Sequence, residues 1–199
     1  MQSYKMNVEQ FYWKLKGHVT GRRKMENVVK QLKQFKADAI YEKKKHYNAA
    51  ERKRTYYKWI SIIQIVLNAI SGTTLLTVVF GNGSKTAEIL ALVFTIIATV
   101  LASVQKIGDF ENQAQGNSKV ADMYLEISKN INLTLNFIKD GALSKKEIVE
   151  KAEKIRGEIS QANKIGSQFP TNQKDYDKAQ EGIKNGEENY TNEELELWE

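Results

Sequence analysis

Residues 59–80 read WISIIQIVLNAISGTTLLTVVF and contain no charged side chain. Residues 86–105 read TAEILALVFTIIATVLASVQ and contain only one, Glu88, after the short turn of residues 81–85. A helix rises about 1.5 Å per residue and the hydrocarbon core of a bilayer is about 30 Å thick, so about 20 apolar residues can cross it. Both segments reach that length. Because the turn is too short to hold a domain, the sequence predicts two antiparallel transmembrane helices.

The competing interpretation is a hairpin of helices buried inside a soluble protein. Charged residues make up 27% of the chain, so its remaining parts could cover one such helix. Two successive helices without a polar face would need to be covered on every side. We therefore predict an all-α membrane protein, in which the transmembrane hairpin continues into long cytoplasmic helices that pack as a helical bundle or coiled coil.

Charge is unevenly distributed along the chain. Residues 1–58 contain 16 Lys or Arg and 5 acidic residues, whereas residues 171–199 contain 3 and 9. An excess of Lys and Arg beside a span favours the cytoplasmic side of the membrane. We expect a multi-pass protein of the cytoplasmic (plasma) membrane with its N- and C-termini in the cytoplasm. Residues 1–10 lack the apolar core of a signal peptide, so the first span is expected to act as its own insertion signal.

Seven of the basic residues lie within 16 positions of the first span. They are Lys43, Lys44, Lys45, Arg52, Lys53, Arg54 and Lys58. Such basic runs can bind nucleic acid. Beside a membrane they also set topology and attract anionic lipid headgroups. We favour this second interpretation, which makes a bilayer with anionic lipids the expected partner and excludes nucleic acid.

Most of the chain is expected to be helical, because it contains one proline and no sustained strand-like alternation. The expected segments are an N-terminal basic segment (1–24), a cytoplasmic basic helix (25–58), the first transmembrane helix (59–80), an extracytoplasmic turn (81–85), the second transmembrane helix (86–105), a long cytoplasmic helix (106–139), a cytoplasmic return helix (144–166) and an acidic tail (170–199). Gly17 and Gly21 are expected to interrupt the first segment. The acidic tail is expected to be mobile or to dock on the basic arm.

The helix after the second span carries a seam of positions spaced alternately by threes and fours. They are Ile107, Phe110, Ala114, Asn117, Ala121, Tyr124, Ser128, Ile131, Leu135 and Ile138. This heptad spacing predicts packing against the basic helix of the same chain or against the same helix of a neighbour. Ser144 and Glu147 then form a capping box, which predicts the start of a helix that folds back on the seam.

The sequence offers little for catalysis. It has no cysteine, which excludes disulfides, thiolate zinc sites and cysteine nucleophiles. His18 and His46 lie in basic segments without a neighbouring carboxylate pattern, and we interpret both as surface residues. A Gly-rich phosphate loop, a paired-histidine motif and a Ser-centred elbow are all absent from the sequence. We expect no enzymatic activity, no cofactor and no metal site.

Polar and small side chains inside the spans are candidates for pore lining or helix packing. Those of the first helix, which fall within a sector of about 80° at 100° per residue, are Ser61, Gln64, Asn68 and Ser71. Those of the second helix form a small-residue strip with Ser103, namely Thr95, Ala98 and Ala102. Polar groups are costly in hydrocarbon unless they meet a partner or water. Two interpretations stay open: hydrogen bonds across the hairpin, or a conduit lined by several copies, since two helices cannot enclose a pore alone.

The order of these features resembles a known family. A basic helix over residues 43–54 leads into a polar-dotted span, and a short turn and a second span lead into a long helix. That helix carries Ala114, Ala121, Tyr124 and Ile131 in an Ala…Ala-x-x-Tyr rhythm. Over residues 37–165 the chain is similar to the SLATT family, the two-transmembrane effector domains that accompany nucleotide-signalling and SLOG-type sensor genes in bacterial conflict systems.

This resemblance implies a pore-forming or membrane-perturbing effector that stays inactive until infection or a second messenger triggers it. We expect an effector of an anti-phage defence system that oligomerises and permeabilises the cytoplasmic membrane. Its expected partners are further copies of the same chain and a nucleotide-signalling enzyme or sensor encoded nearby. The alternative is a membrane-anchored helical scaffold or adaptor without pore activity.

Overall fold

The computed structural model describes the backbone of residues 8–81 and 84–191, and the side chains of residues 25–81 and 84–191. Regular structure in these ranges is entirely α-helical and contains no strand. The helices are α1 (Val8–Val79), α2 (Lys85–Gly108), α3 (Phe110–Lys139), α4 (Lys145–Gly166) and α5 (Gln173–Lys184). The predicted all-α class is confirmed, and the two apolar segments lie in α1 and α2.

The first helix begins nearer the N-terminus than the sequence suggested. α1 is a single helix of 72 residues that contains both the basic helix and the first span. Gly17 and Gly21 lie inside it, so the expected interruption there is wrong. Glycine in a helix interior costs only about 0.5–1 kcal/mol relative to alanine, which the neighbouring helix-forming residues can offset. An uninterrupted backbone therefore connects the basic arm to the membrane segment.

The sequence predicted that the second span would continue into the next helix without a break. The structure instead has a break there. α2 ends at Gly108 and α3 begins at Phe110, with Asp109 between them at a φ of 42°. Aspartate is one of the few residues besides glycine that tolerates this left-handed conformation. A Cβ at position 108 would overlap the ring of Phe110. That ring packs edge-to-face against Tyr56 of α1, with ring centroids 6.0 Å apart.

The chain forms two compact units. The first comprises residues 1–43 and 122–165, and the second comprises residues 44–121 and 166–199. Buried side chains of the first unit are Leu32, Ala39, Tyr124, Ile127, Ile131, Ile148, Ile155 and Ala162. The hydroxyl of Tyr124 donates to Oδ1 of Asn163 at 2.7 Å, which ties α3 to α4. Burial, with a smaller contribution from the charge of Glu42, raises the pKa of Tyr124 to about 12.

The connection between α3 and α4 follows from its sequence. Gly141 adopts a φ of 69°, and the N–H of Ala142 donates to the carbonyl oxygen of Phe137 at 2.9 Å. The N–H of Ser144 then donates to Oε2 of Glu147 at 2.7 Å, and the N–H of Glu147 donates to Oγ of Ser144 at 3.4 Å. The predicted capping box is therefore confirmed.

A buried polar pair lies inside the second unit. His46 is 5% exposed, and its Nδ1 lies 2.8 Å from Oδ1 of the fully buried Asn117. Nδ2 of Asn117 donates to the carbonyl oxygen of Gln113 at 2.7 Å, so Oδ1 is left to accept from the imidazole. The interpretation of His46 as a surface residue is wrong, and the pair explains why the apolar seam contains an asparagine. His18 lies outside the described side chains.

Gly116 allows the segment after α4 to pack against α3. The ring of Phe169 occupies the space that a Cβ at position 116 would take. Gly157, on α4, has no atom within 4 Å of the corresponding position. An alanine substitution would therefore meet a packed ring at Gly116 and open space at Gly157.

We expect Gly116→Ala to lower the free energy of unfolding by about 1–3 kcal/mol, because the new methyl group displaces the ring of Phe169. Gly157→Ala is the matched control and should raise the free energy of unfolding by about 0.5–1 kcal/mol through helix propensity. Unfolding of both variants in detergent, followed by circular dichroism, measures the difference. Equal effects would contradict the packing assigned to Phe169.

Candidate functional site

The two apolar segments leave almost all of their apolar surface uncovered. Only 6% of the most apolar 18-residue window of α1 is buried, and only 11% of that of α2. Large exposed apolar side chains there include Ile65, Leu76, Phe80, Ile89 and Leu92. Apolar patches of this extent occur where lipid or another protein covers them. Helices buried in a soluble core do not fit this structure, whereas membrane-spanning helices do.

The spans of α1 and α2 contact each other along a narrow seam. Its positions on α1, which are at least half-buried, are Ser61, Gln64, Leu67, Ser71, Thr74 and Val78. Its positions on α2 are Ala87, Ala91, Phe94, Ala98, Leu101 and Gln105. Spacing by threes and fours is typical of helices that pack nearly side by side. Ala91 and Ala98 are buried, and small residues at a membrane seam allow close backbone approach.

Two hydrogen bonds fix how the helices are aligned. Nε2 of Gln105 donates to Oγ of Ser61 at 2.8 Å, at the end of the hairpin remote from the turn. Oγ of Ser71 donates to the carbonyl oxygen of Ala91 at 3.3 Å. Ser61 therefore lies opposite Gln105, and Ser71 lies opposite Ala91.

The structure brings only some of the candidate pore or packing residues together. Those in the seam are Ser61, Gln64, Ser71 and Ala98. Those exposed outside it are Asn68, Thr95 and Ala102. The sequence analysis missed the seam positions Ala87, Ala91, Phe94, Leu101 and Gln105. The spacing of the alanines at 87, 91 and 98 was the signal that could have found them.

Two amide side chains in the first span lack partners in the described residues. Nε2 of Gln64 is buried and donates to no acceptor in the described residues. Asn68 is exposed, and neither the hairpin nor any other described segment offers its amide a hydrogen bond. An unsatisfied buried amide costs about 1–3 kcal/mol. The sequence left open that Gln64 and Asn68 form hydrogen bonds across the hairpin. Within one chain, neither amide forms such a bond.

Asn68, Thr95 and Ala102 lie on the same flank of the hairpin. At 100° per residue, Asn68 is displaced by roughly 70° from the buried stripe of α1, and Thr95 and Ala102 are displaced by roughly 60–80° from that of α2. Because the helices are antiparallel, these displacements point to one side. The alignment of Ser71 with Ala91 places Asn68 and Thr95 at nearly the same depth. Asn68 is also close to the middle of the 22-residue apolar segment.

The basic residues beside the span have different environments. Arg54 and Lys58 are exposed, while Lys43 and Lys45 are half-buried. Lys44, Arg52 and Lys53 instead contact the acidic C-terminal region. The cluster that looked like one membrane-facing patch is thus divided, and part of its charge is neutralised by the chain itself.

Arg52 forms the strongest of these contacts. Its Nε and Nη2 donate to Oδ1 and Oδ2 of Asp175 at 3.0 and 2.8 Å, and Asp175 is only 3% exposed. Burial alone would raise the pKa of Asp175, but the hydrogen bonds from Arg52 and the N–H of Asn172, with the charge of Lys53, hold that pKa below its usual value. Asp175 is therefore an ionised, buried carboxylate in a two-pronged ion pair.

Asp175 also caps the N-terminus of α5. Its N–H donates to Oδ1 of Asn172 at 3.0 Å, and its Oδ2 accepts from the N–H of Asn172 at 2.9 Å, which completes a capping box. The acidic tail, expected to be mobile or docked, contains this ordered helix and docks on the basic arm. Nδ2 of Asn48 donates to the carbonyl oxygen of Asp175 at 3.0 Å, and Lys178 pairs with Glu51 at 2.8 Å.

Lys53 and Lys44 extend the contact on either side. Nζ of Lys53 donates to the carbonyl oxygen of Pro170 at 2.8 Å and to Oε1 of Gln113 at 3.0 Å. Burial, with the neighbouring charge of Arg52, lowers the pKa of Lys53. Lys44 pairs with Glu187, and its Nζ lies 3.4 Å from Oε1 of Glu188.

Among the residues whose side chains are described, no group of three His, Asp or Glu is placed to hold a metal ion. The organised features are instead the hairpin seam, its polar flank and the contact between α5 and the basic arm.

These features define an all-helical membrane protein with two spans. The chain belongs to the SMODS and SLOG-associating 2TM effector domain family 4, whose sequence profile matches residues 28–195. The suspected SLATT membership is confirmed, and the match extends beyond residue 165 to include α5. The family is a two-transmembrane effector domain associated with SMODS and SLOG conflict systems, and it is not a known enzyme family. Neither the curated proteins nor the solved structures contain a match to this chain.

We expect Gln64→Leu to raise the free energy of unfolding by about 1 kcal/mol, because it removes a buried N–H without a partner. Gln105→Leu, the matched control in the same seam, should lower it by about 1 kcal/mol, because the bond to Ser61 is lost. Denaturation in mixed detergent micelles compares the two variants. A stability loss in Gln64→Leu similar to that in Gln105→Leu would show that Gln64 has a partner within the chain.

Proposed function

We propose that the protein is a membrane effector that acts in bacterial anti-phage defence, and that several copies associate in the cytoplasmic membrane and permeabilise it on activation. The proposal is supported by the family membership and by one structural observation: α1 exposes the amide of Asn68 near the middle of its apolar segment. Activation would come from a nucleotide-signalling enzyme or sensor of the associated system.

The position of Asn68 supports association of several copies. A polar side chain that faces hydrocarbon is destabilising unless another helix or water contacts it. In a single chain Asn68 has neither seam contacts nor a hydrogen bond from the described residues. In an assembly of hairpins the flank with Asn68, Thr95 and Ala102 would face a neighbouring copy or a water-filled passage. Because one hairpin cannot enclose a passage, conduction requires several copies.

The charge distribution supports the proposed orientation. The basic arm precedes the first span directly, and Arg54 and Lys58 remain exposed there. The positive-inside rule then places both termini in the cytoplasm and the turn of residues 81–85 outside.

Cysteine labelling tests this orientation, because the native chain has no cysteine. Gly83→Cys should react with a membrane-impermeant maleimide in intact cells, whereas Lys119→Cys and Lys174→Cys, at exposed positions, should react only after lysis. Labelling of Lys119→Cys in intact cells would reverse the assigned topology.

Induced expression of the protein should depolarise cells, and Asn68→Leu should reduce depolarisation roughly tenfold by removing the polar group from the flank. Asn68→Gln keeps an amide and should retain most of the activity. Thr73→Leu is the matched control in the same span, since the hydroxyl of Thr73 already donates to its own helix, to the carbonyl oxygen of Ala69 at 3.0 Å. Membrane potential is read with a voltage-sensitive dye, and expression is matched by immunoblot.

The second candidate function is a membrane-anchored scaffold or adaptor. It is favoured by the large helical part outside the spans, in which α3 and α4 bury apolar faces of their own. A scaffold predicts unchanged membrane potential on full induction and no effect of Asn68→Leu on the cellular phenotype. That pair of results would replace the effector proposal.

A further inference from the structure

The helix α5 covers part of the basic arm through specific contacts. Its buried residues, Asp175, Ala179 and Gly182, recur at steps of four and three and therefore share one face. Asp175 on this face binds Arg52 with both carboxylate oxygens. The contact thus combines a packed helix face with a charge-assisted, two-pronged hydrogen bond.

Asp175 occupies Arg52 in the way an anionic ligand would. A guanidinium group presents two parallel N–H donors, which match a phosphate oxyanion as well as a carboxylate. The segment that leads into α5 contacts Lys53, whose Nζ donates to the carbonyl oxygen of Pro170. If α5 and the segment before it were displaced, Arg52 would lose Asp175, and Lys53 would keep only Oε1 of Gln113 as an acceptor.

The position of Arg52 limits which anion is within reach. Arg52 lies seven residues before Trp59, which begins the apolar segment. At 1.5 Å per residue this is about 10 Å along α1, and a long basic side chain can extend toward the headgroups over that distance. Arg54 and Lys58 are nearer to the apolar segment and already exposed. A released Arg52 and Lys53 would therefore join these two residues at the lipid surface.

We propose that Arg52 and Lys53 bind the phosphates of anionic lipid headgroups, beside Arg54 and Lys58 on other faces of α1, and that α5 occupies Arg52 with Asp175 until it is displaced. α5 is then an internal competitor of the membrane surface. The proposal goes beyond the permeabilising function, and its test depends neither on conduction nor on the orientation in the cell.

The accessibility of α5 reports whether the site is occupied. Ala179 is 1% exposed, so Ala179→Cys should react slowly with maleimide while α5 is docked. The full chain is placed in nanodiscs of phosphatidylcholine alone or of equal parts phosphatidylcholine and phosphatidylglycerol. We expect labelling to be roughly tenfold faster with phosphatidylglycerol, and roughly tenfold faster in either lipid when Asp175→Asn removes the charge.

Asp177→Asn is the matched control, because it makes the same charge change on the exposed side of α5, where Asp177 contacts only Gln173 in the described residues. It should leave the labelling rate unchanged. Equal acceleration by Asp177→Asn and Asp175→Asn would overturn the specific pairing with Arg52. If Ala179→Cys itself loosens α5, trypsin cleavage after Lys174 and Lys178 in the cysteine-free chain gives the same comparison.

The lipid source is tested separately from the release of α5. Addition of inorganic phosphate to phosphatidylcholine nanodiscs should not accelerate labelling, and acceleration equal to that by phosphatidylglycerol would overturn the assignment to lipid. Native mass spectrometry should show more phosphatidylglycerol retained by Asp175→Asn than by the native chain, and this excess should disappear when Arg52→Gln is added. Equal retention by all three proteins would overturn the site.

Discussion

Hydrocarbon contains no water, and the need to satisfy polar groups without it determines the arrangement of the spans. Most hydroxyl groups there donate to carbonyl oxygens of their own helix, namely those of Ser61, Thr73, Thr74, Thr77, Thr95, Thr99 and Ser103. Ser71 and Gln105 bond across the hairpin instead. Nε2 of Gln64 is buried in the seam without an acceptor, and the exposed amide of Asn68 has no hydrogen bond from the described residues. The polar side chains of the hairpin that lack a hydrogen bond are therefore mainly these two amides.

Most of the fold could be predicted from the hydrophobic periodicity and the charge distribution of the sequence. The two spans and the capping box at Ser144 are local patterns, in which the residues that matter lie within a few positions of one another. The seam on α3 was also visible, from Ala114 to Ile131. Its asparagine could not be explained from sequence, because the partner His46 lies 71 positions away on another helix.

Three other features depended on contacts between distant segments. The break at Asp109 combines an uncommon left-handed aspartate with the edge-to-face packing of Phe110 against Tyr56. The order of α5 depends on Arg52, which lies 123 positions from Asp175. The exposure of Asn68 depends on the rotation of α1 against α2, and a sector of about 80° is too wide to separate a seam residue from a flank residue. Local pattern therefore located the candidate residues, whereas tertiary packing decided which of them face each other.

The basic arm shows why counting charges is a poor guide to the surface that a partner meets. Residues 43–58 contain seven cations in the sequence, but the structure gives Lys44, Arg52 and Lys53 acceptors from the acidic region. The sequence profile of the family includes this acidic region as far as residue 195. Acidic tail and basic arm thus belong to one domain, and the net charge of either segment alone overstates the field around it.

The two spans are attached to the rest of the protein by different kinds of joint. The first belongs to a helix that continues through the basic arm without a break, so a twist applied to the arm is transmitted along it into the bilayer. The second ends at Asp109, where a left-handed residue separates α2 from α3. The first span is therefore continuous with the helix that precedes it, whereas the second span is separated from the helix that follows it.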